Sequence, residues 1–149
     1  MKKLILLSLF IPFFAKAQFT IVNTSTTTLA DLRSGTWPLD LNRIIKESDT
    51  CYELEFRDQQ YSNSVNMSSL RFPNLQQLRY FQKGLSALKN GSTGDIARFK
   101  DYTIKRSDVK KDGDAKKDGV WYILTCADGS LTDFQQPEAD KIVAAIKSL

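Results

Sequence analysis

Apolar and polar residues alternate most cleanly between Thr50 and Arg57, where Tyr52, Leu54 and Phe56 interleave with Cys51, Glu53, Glu55 and Arg57. A period of two sends successive side chains to opposite faces, so this segment predicts a strand with one core face and one wet face. The period changes after Pro73. Leu75, Leu78, Phe81, Leu85 and Leu88 recur every three or four residues, which paints one stripe along a helix over residues 74–89. Asn74 followed by Gln77 resembles a capping box, and Asn90-Gly91 offers the left-handed end that stops a helix. Gly84 interrupts the stripe at a cost of about 1 kcal/mol relative to Ala, a cost that close packing against a sheet would explain.

A similar plan returns downstream. Residues 96–106 are strand-like, with Tyr102 and Ile104 on one side, and Lys-Lys-Asp-Gly then occurs twice, at 110–113 and 116–119. Asp-Gly is a strong hairpin signal. Trp121, Tyr122, Ile123 and Leu124 follow one another, as in a strand covered on both faces, so residues 120–126 predict the centre of a sheet. Asp128-Gly129 forms the next turn, residues 131–134 a short strand, and Pro137 stands where a helix accepts its first residue. Ala139, Ile142, Val143, Ile146 and Leu149 fall on one face of a helix over residues 137–148. Phe72-Pro73 and Phe134 with Pro137 mark corresponding places in two strand-strand-helix units, although their sequence identity is too low to establish a duplication.

The amino-terminal third is less regular. Residues 19–22 suit a first strand, and residues 23–28 read as a polar connection. Over residues 29–48 the pattern is ambiguous: Leu29 and Leu32 suggest one helical turn, Gly35 and Pro38 interrupt it, and Asp40 caps a short helix carrying Leu41, Ile44 and Ile45. A further strand falls between Tyr61 and Phe72, with Val65, Met67 and Leu70 contributing. The resulting expectation is a single α+β domain: an antiparallel sheet of about four to six strands, two main amphipathic helices on one face, and a smaller N-terminal helical element.

Residues 1–17 change the setting of that domain. Lys2 and Lys3 precede an apolar run over residues 4–14, and Ala15-Lys16-Ala17 supplies the small residues of a signal-peptidase site. The run is shorter than the roughly 20 residues a membrane span requires. It reads as a signal peptide, leaving a single domain over residues 18–149 that works in the periplasm or as a secreted protein. No Cys follows the small residues, so nothing suggests a lipid anchor. Removing Lys2, Lys3 and Lys16 takes the 21 basic residues to 18 against 17 acidic ones. A near-neutral chain offers no electrostatic case for nucleic acid, and no later stretch is long and apolar enough to span a membrane.

The chain contains no histidine, which removes Ser-His-Asp and Cys-His catalysis and most transition-metal sites. No cofactor is implied. Cys51 and Cys126 are an even pair in an oxidising compartment and read as a disulfide; the alternative is two buried free thiols. If Tyr52, Leu54 and Phe56 face the helices, Cys51 points the other way, and a bridge then requires Trp121 and Ile123 to face the helices. Val120, Tyr122 and Leu124 would line a second apolar face, covered by Trp37, Leu41, Ile44 and Ile45 or by a partner.

Three further constellations stand out. Glu53 and Glu55 leave one strand face about 7 Å apart, within the range of carboxylate-pair glycosidases, yet Arg57 beside them makes an ordinary charged sheet face. Asp108, Asp112, Asp114 and Asp118 crowd one loop, but Lys110 and Gly119 occupy positions where a calcium loop needs oxygen ligands, so a soluble turn is the better reading. Asn23, Asn66 and Asn90 begin glycosylation triplets. The leading expectation is a non-enzymatic binding, inhibitor or accessory domain acting on a protein or envelope partner, with Trp37, Tyr61 and Tyr80 as exposed aromatic candidates. Alternatives are a hydrolase of glycans built on Glu53 and Glu55, or a carrier of a small apolar ligand in an internal cavity.

Overall fold

Among the described residues, eight strands and two helices follow one another as two successive units of four strands and a helix. In the computed structural model, β1 (Thr24–Asp31), β2 (Leu39–Lys46), β3 (Asp49–Arg57) and β4 (Met67–Phe72) precede α1 (Leu75–Lys89). Then β5 (Ile96–Arg98), β6 (Tyr102–Asp112), β7 (Ala115–Cys126) and β8 (Leu131–Gln135) precede α2 (Gln136–Lys147). The structure describes residues 23–32, 38–61, 65–112 and 115–149. Residues 1–17, the predicted strand at 19–22 and Trp37 lie outside them.

The α+β antiparallel architecture agrees with the sequence pattern, but the strands divide between two four-stranded sheets, ordered β1-β2-β3-β4 and β5-β6-β7-β8, where one sheet was expected. Each is a meander in which every neighbour is sequential. The described residues of 29–48 form strands β1 and β2, and no helical element occurs among them. Leu39 and Leu41 sit opposite Phe56 and Leu54 across β2 and β3, so pairing with β3 draws them to the core face and overrides the helical spacing of Leu41, Ile44 and Ile45. Residues 24–46 therefore extend the first sheet and do not cover an apolar second face.

The two units superpose in sequence once their strands are paired. Tyr52, Leu54 and Asp58 of the first correspond to Tyr122, Leu124 and Asp128 of the second, while Leu41 lies opposite Leu54 as Ile104 lies opposite Leu124. Counted from the N-caps Asn74 and Gln135, Leu78, Phe81, Leu85 and Leu88 take the same places as Ala139, Ile142, Ile146 and Leu149. Each sheet turns one mainly apolar face to the core, and the two helices cover both. α1 packs on β3 and β4 of its own unit and on β5 and β6 of the other; α2 packs on β7 and β8 and reaches across to β1. Lys89 at the end of α1 meets Asp140 near the start of α2 at 2.8 Å.

Two contacts lock the units together. Phe72, Phe81, Tyr102 and Phe99 form a chain of rings with centroids 4.4 to 6.1 Å apart, linking β4, α1 and β6. A Cβ at Gly84 would lie 2.7 Å from Phe99 Cζ, so the glycine allows α1 to rest on that ring. At the other seam, the Asp58 carboxylate, 6% exposed, accepts hydrogen bonds from the Gln60 and Leu131 N–H groups, both at 3.0 Å. Gln59 N–H donates to the Leu131 carbonyl at 2.7 Å, tying the end of β3 to the start of β8.

Two stability measurements follow. Gly84→Ala should lower unfolding free energy by about 1–2 kcal/mol in urea titration, because overpacking outweighs the helix-propensity gain, and trimming the ring with Phe99→Leu should recover part of that loss. Asp58→Ala, which leaves the Gln60 and Leu131 N–H groups without an acceptor, should cost about 2–3 kcal/mol, whereas Asp58→Asn retains an accepting oxygen and should cost clearly less.

Candidate binding surface

Strand β7 presents Tyr122, Leu124 and Cys126 to the core, while Trp121 is buried on the opposite face. Cys126 therefore belongs to the core, between Tyr102 across the ladder and Ser130. Cys51 lies on the outer face of the other sheet, where Arg71 Nη2 approaches its sulfur at 3.3 Å. Both thiols are free, and the expected bridge is absent because the parity it required, with Trp121 and Ile123 towards the helices, is reversed. Burial raises the Cys126 thiol above its usual range.

Glu53 and Glu55 share that outer face with Cys51, Ser69 and Arg71. Ser69 Oγ donates to Glu53 at 2.6 Å, and the strand opposite contributes Asn42 and Asp40. The carboxylates thus stand in a cross-strand polar network on a sheet face. Two depressions lie elsewhere. One, of about 370 Å³, runs between the helices, with Leu85, Lys89, Gln136, Asp140 and Val143 in its walls; the other, of about 380 Å³, is formed by Asn23, Thr24, Ser25, Ile45 and Glu47 at the open end of β1 and β2. Among the described residues no group of His, Cys, Asp or Glu side chains could hold a metal ion, and no helix is long and apolar enough to cross a membrane.

Of the aromatic candidates, Tyr61 is 53% and Tyr80 41% exposed. Tyr80 is held by Gln76, which donates to its hydroxyl at 3.0 Å, and by Lys83 over its ring. Val65 and Met67 are also exposed, so the β3–β4 connection carries Tyr61, Val65 and Met67 as outward apolar groups.

The sequence pattern missed β1. Residues 24–28, Thr-Ser-Thr-Thr-Thr, form the outer edge of the first sheet and are all exposed. β-branched threonine favours a strand, but exposure on both faces removes the apolar alternation that would reveal it. Among the described residues β1 pairs only with β2, and a bulge falls between Thr28 and Ala30. Among the described residues, no strand pairs with its amide and carbonyl groups on the far side.

Arg43 was missed as well. It lies opposite Tyr52 as Arg106 lies opposite Tyr122, an equivalence the matching Tyr-x-Leu spacings imply. Arg106 is fully engaged: Nη1 donates to the Leu88 and Lys89 carbonyls at 2.9 and 2.7 Å, closing the end of α1, and Nε donates to Asp108 at 3.1 Å. Asp108, hydrogen-bonded by Thr93 and then by Arg106, titrates below the usual carboxylate range. Of the crowded aspartates, it serves as this arginine's partner; the side chains of Asp112, Asp114 and Asp118 lie outside the described residues. Arg43 Nε is buried with no hydrogen-bond partner, and Ile45 stands two residues on, where the second unit has Asp108. No family model, curated protein or solved structure matches this chain.

On unfolded protein prepared without reductant, two thiols should titrate with Ellman's reagent, and in the native state Cys126 should stay protected. Burial also raises the Tyr102 and Tyr122 hydroxyls. The unfolded chain therefore releases protons first as pH rises through the ordinary thiol and phenol values of about 8.5 and 10, and stability falls with it. The urea midpoint should decline beyond about pH 8.5, and Tyr102→Phe should flatten the upper part of that decline; a midpoint constant to pH 10.5 would contradict the linkage.

Proposed function

We propose that residues 18–149 form an exported, non-enzymatic binding domain that engages an extended segment of a protein in the periplasm or outside the cell by adding it as a strand beside β1. The observation that carries this reading is the open edge of residues 24–28. A free ladder of N–H and C=O groups is a template for a further strand, and soluble proteins normally protect it with lysine, proline or a covering element. Residues 24–28 have neither charge nor proline, and their exposure leaves the edge accessible. Main-chain hydrogen bonds supply affinity in such docking, while alternate side chains supply specificity.

The export signal supports the compartment, and the absence of histidine weighs against the commonest catalytic mechanisms. Glu53 and Glu55, the nominees of the hydrolase alternative, point from a sheet face outside both depressions.

Affinity capture from the native envelope and medium, with residues 18–149 as bait, tests the proposal when paired with a Thr24→Lys/Thr26→Lys bait. The double variant should keep its stability to within about 0.5 kcal/mol, as exposed substitutions usually do. It should bind the captured partner at least tenfold more weakly, and hydrogen exchange at residues 24–28 should slow when the partner binds the parent protein. Equal binding by the two baits, with unchanged exchange along β1, would refute strand addition there.

A further inference from the structure

We infer that the outward face of α1 binds a carboxylate-bearing polysaccharide, with Tyr80 packing against a sugar ring and Arg79 and Lys83 pairing with acid groups on either side of it. α1 packs on β3, β4, β5 and β6, so this surface is separate from the β1 edge. Residues three and four apart on a helix are neighbours on its surface. Gln76, Arg79, Tyr80 and Lys83 therefore form one continuous patch, and all four are exposed. The fold does not account for the charges there. Arg79 and Lys83 are four residues apart, an arrangement of like charges that weakens a helix, and α1 contains no Asp or Glu to offset it. Among the described residues neither side chain has a carboxylate within ion-pair distance, whereas Lys89, the remaining cation of α1, is paired with Asp140. The other helix has acids at the corresponding places: counted from the N-caps, Glu138 stands where α1 has Gln77, and Asp140 where α1 has Arg79. Like charges held together against the preference of a helix, on a face open to solvent, are complementary to a partner that carries anions.

The rest of the patch selects among anions. Tyr80, 41% exposed, is fixed in place: Gln76 donates to its hydroxyl at 3.0 Å, and Lys83 Nζ stands 5.8 Å from the ring centroid. Because that hydroxyl accepts from Gln76, its own proton is available to donate outward. An amphipathic ring with a polar tip, flanked by amides and cations, matches the C–H face, the hydroxyls and the carboxylates of a uronate chain. The patch is a convex helix surface outside both depressions, whereas a protein interface depends on anchor side chains buried in pockets. An anionic bilayer is a poorer match, since helices that lie in a membrane surface bury an apolar face, and among the described residues of α1 Tyr80 alone is a large apolar side chain open to solvent.

Titration of isotope-labelled protein with a galacturonate oligomer, and separately with its methyl ester, tests this by NMR. The acid form should shift the backbone amides of residues 76–83, less so as salt rises, and the ester, which has the same backbone without the charge, should bind at least tenfold more weakly. Arg79→Gln/Lys83→Gln should lower affinity for the acid form about tenfold. That variant relieves a like-charge pair, so it should unfold at the same temperature as the parent or higher, and lost binding is then not lost folding. Tyr80→Ala should also weaken the acid form, about fivefold, which ionic attraction alone does not predict. Equal binding of acid and ester, no binding of the acid form, or shifts confined to residues outside 76–83 would overturn the assignment. So would sedimentation with phosphatidylglycerol vesicles that requires Arg79 and Lys83 in a protein indifferent to galacturonate, which would make the partner a membrane.

Discussion

Among the described residues, two sheets, each with one mainly apolar face, are covered by two helices, and this shortage determines how the chain is arranged. A four-stranded meander with one helix leaves its first strand uncovered. Each helix solves the problem for the other unit: α1 reaches β5, and α2 reaches β1. The core is consequently one cluster, with Leu41 and Leu54 of the first sheet and Ile104 and Leu124 of the second packed around Leu78, Phe81, Ile142 and Ile146. Neither unit can close its own hydrophobic surface, so the seams at Asp58 and at Gly84 and Phe99 are integral to the fold.

The elements legible in the sequence are those whose side chains meet two distinct environments. β3 alternates because one face is core and the other is a polar network, and both helices show stripes because one side rests on the sheets. Gly84 was readable as a close-packing site, and the ring of Phe99 supplies the close neighbour. The β2 segment was misread because Leu41, Ile44 and Ile45 fit a helical spacing as well as a strand, and only its register with β3 decides between them. The parity of β7 was equally hidden: with Trp121 buried on one face and Tyr122 on the other, hydrophobicity cannot indicate which side faces the helices. That ambiguity is why a disulfide between Cys51 and Cys126 looked geometrically possible.

The candidate surface was the least legible part, for a related physical reason. A binding edge exposed on both faces carries no hydrophobic signal, and an arginine on the core side of a strand end looks like any surface charge. Comparing the units recovers both. Arg106 donates to two helix carbonyls and an aspartate, whereas Arg43 at the corresponding place has no hydrogen-bond partner at Nε.

The outer edges of the two units diverge in the same direction. β5 has three residues while β6 has eleven, so β6 also extends beyond its neighbour and exposes a ladder on one side. That extension carries Lys110 and Lys111, and the paired strand brings Lys116 and Lys117 beside them. The corresponding extension of β1 has hydroxyl side chains only. Among the described residues, each unit thus has one strand that its neighbour leaves unpaired along part of one side, β1 in the first and the far half of β6 in the second.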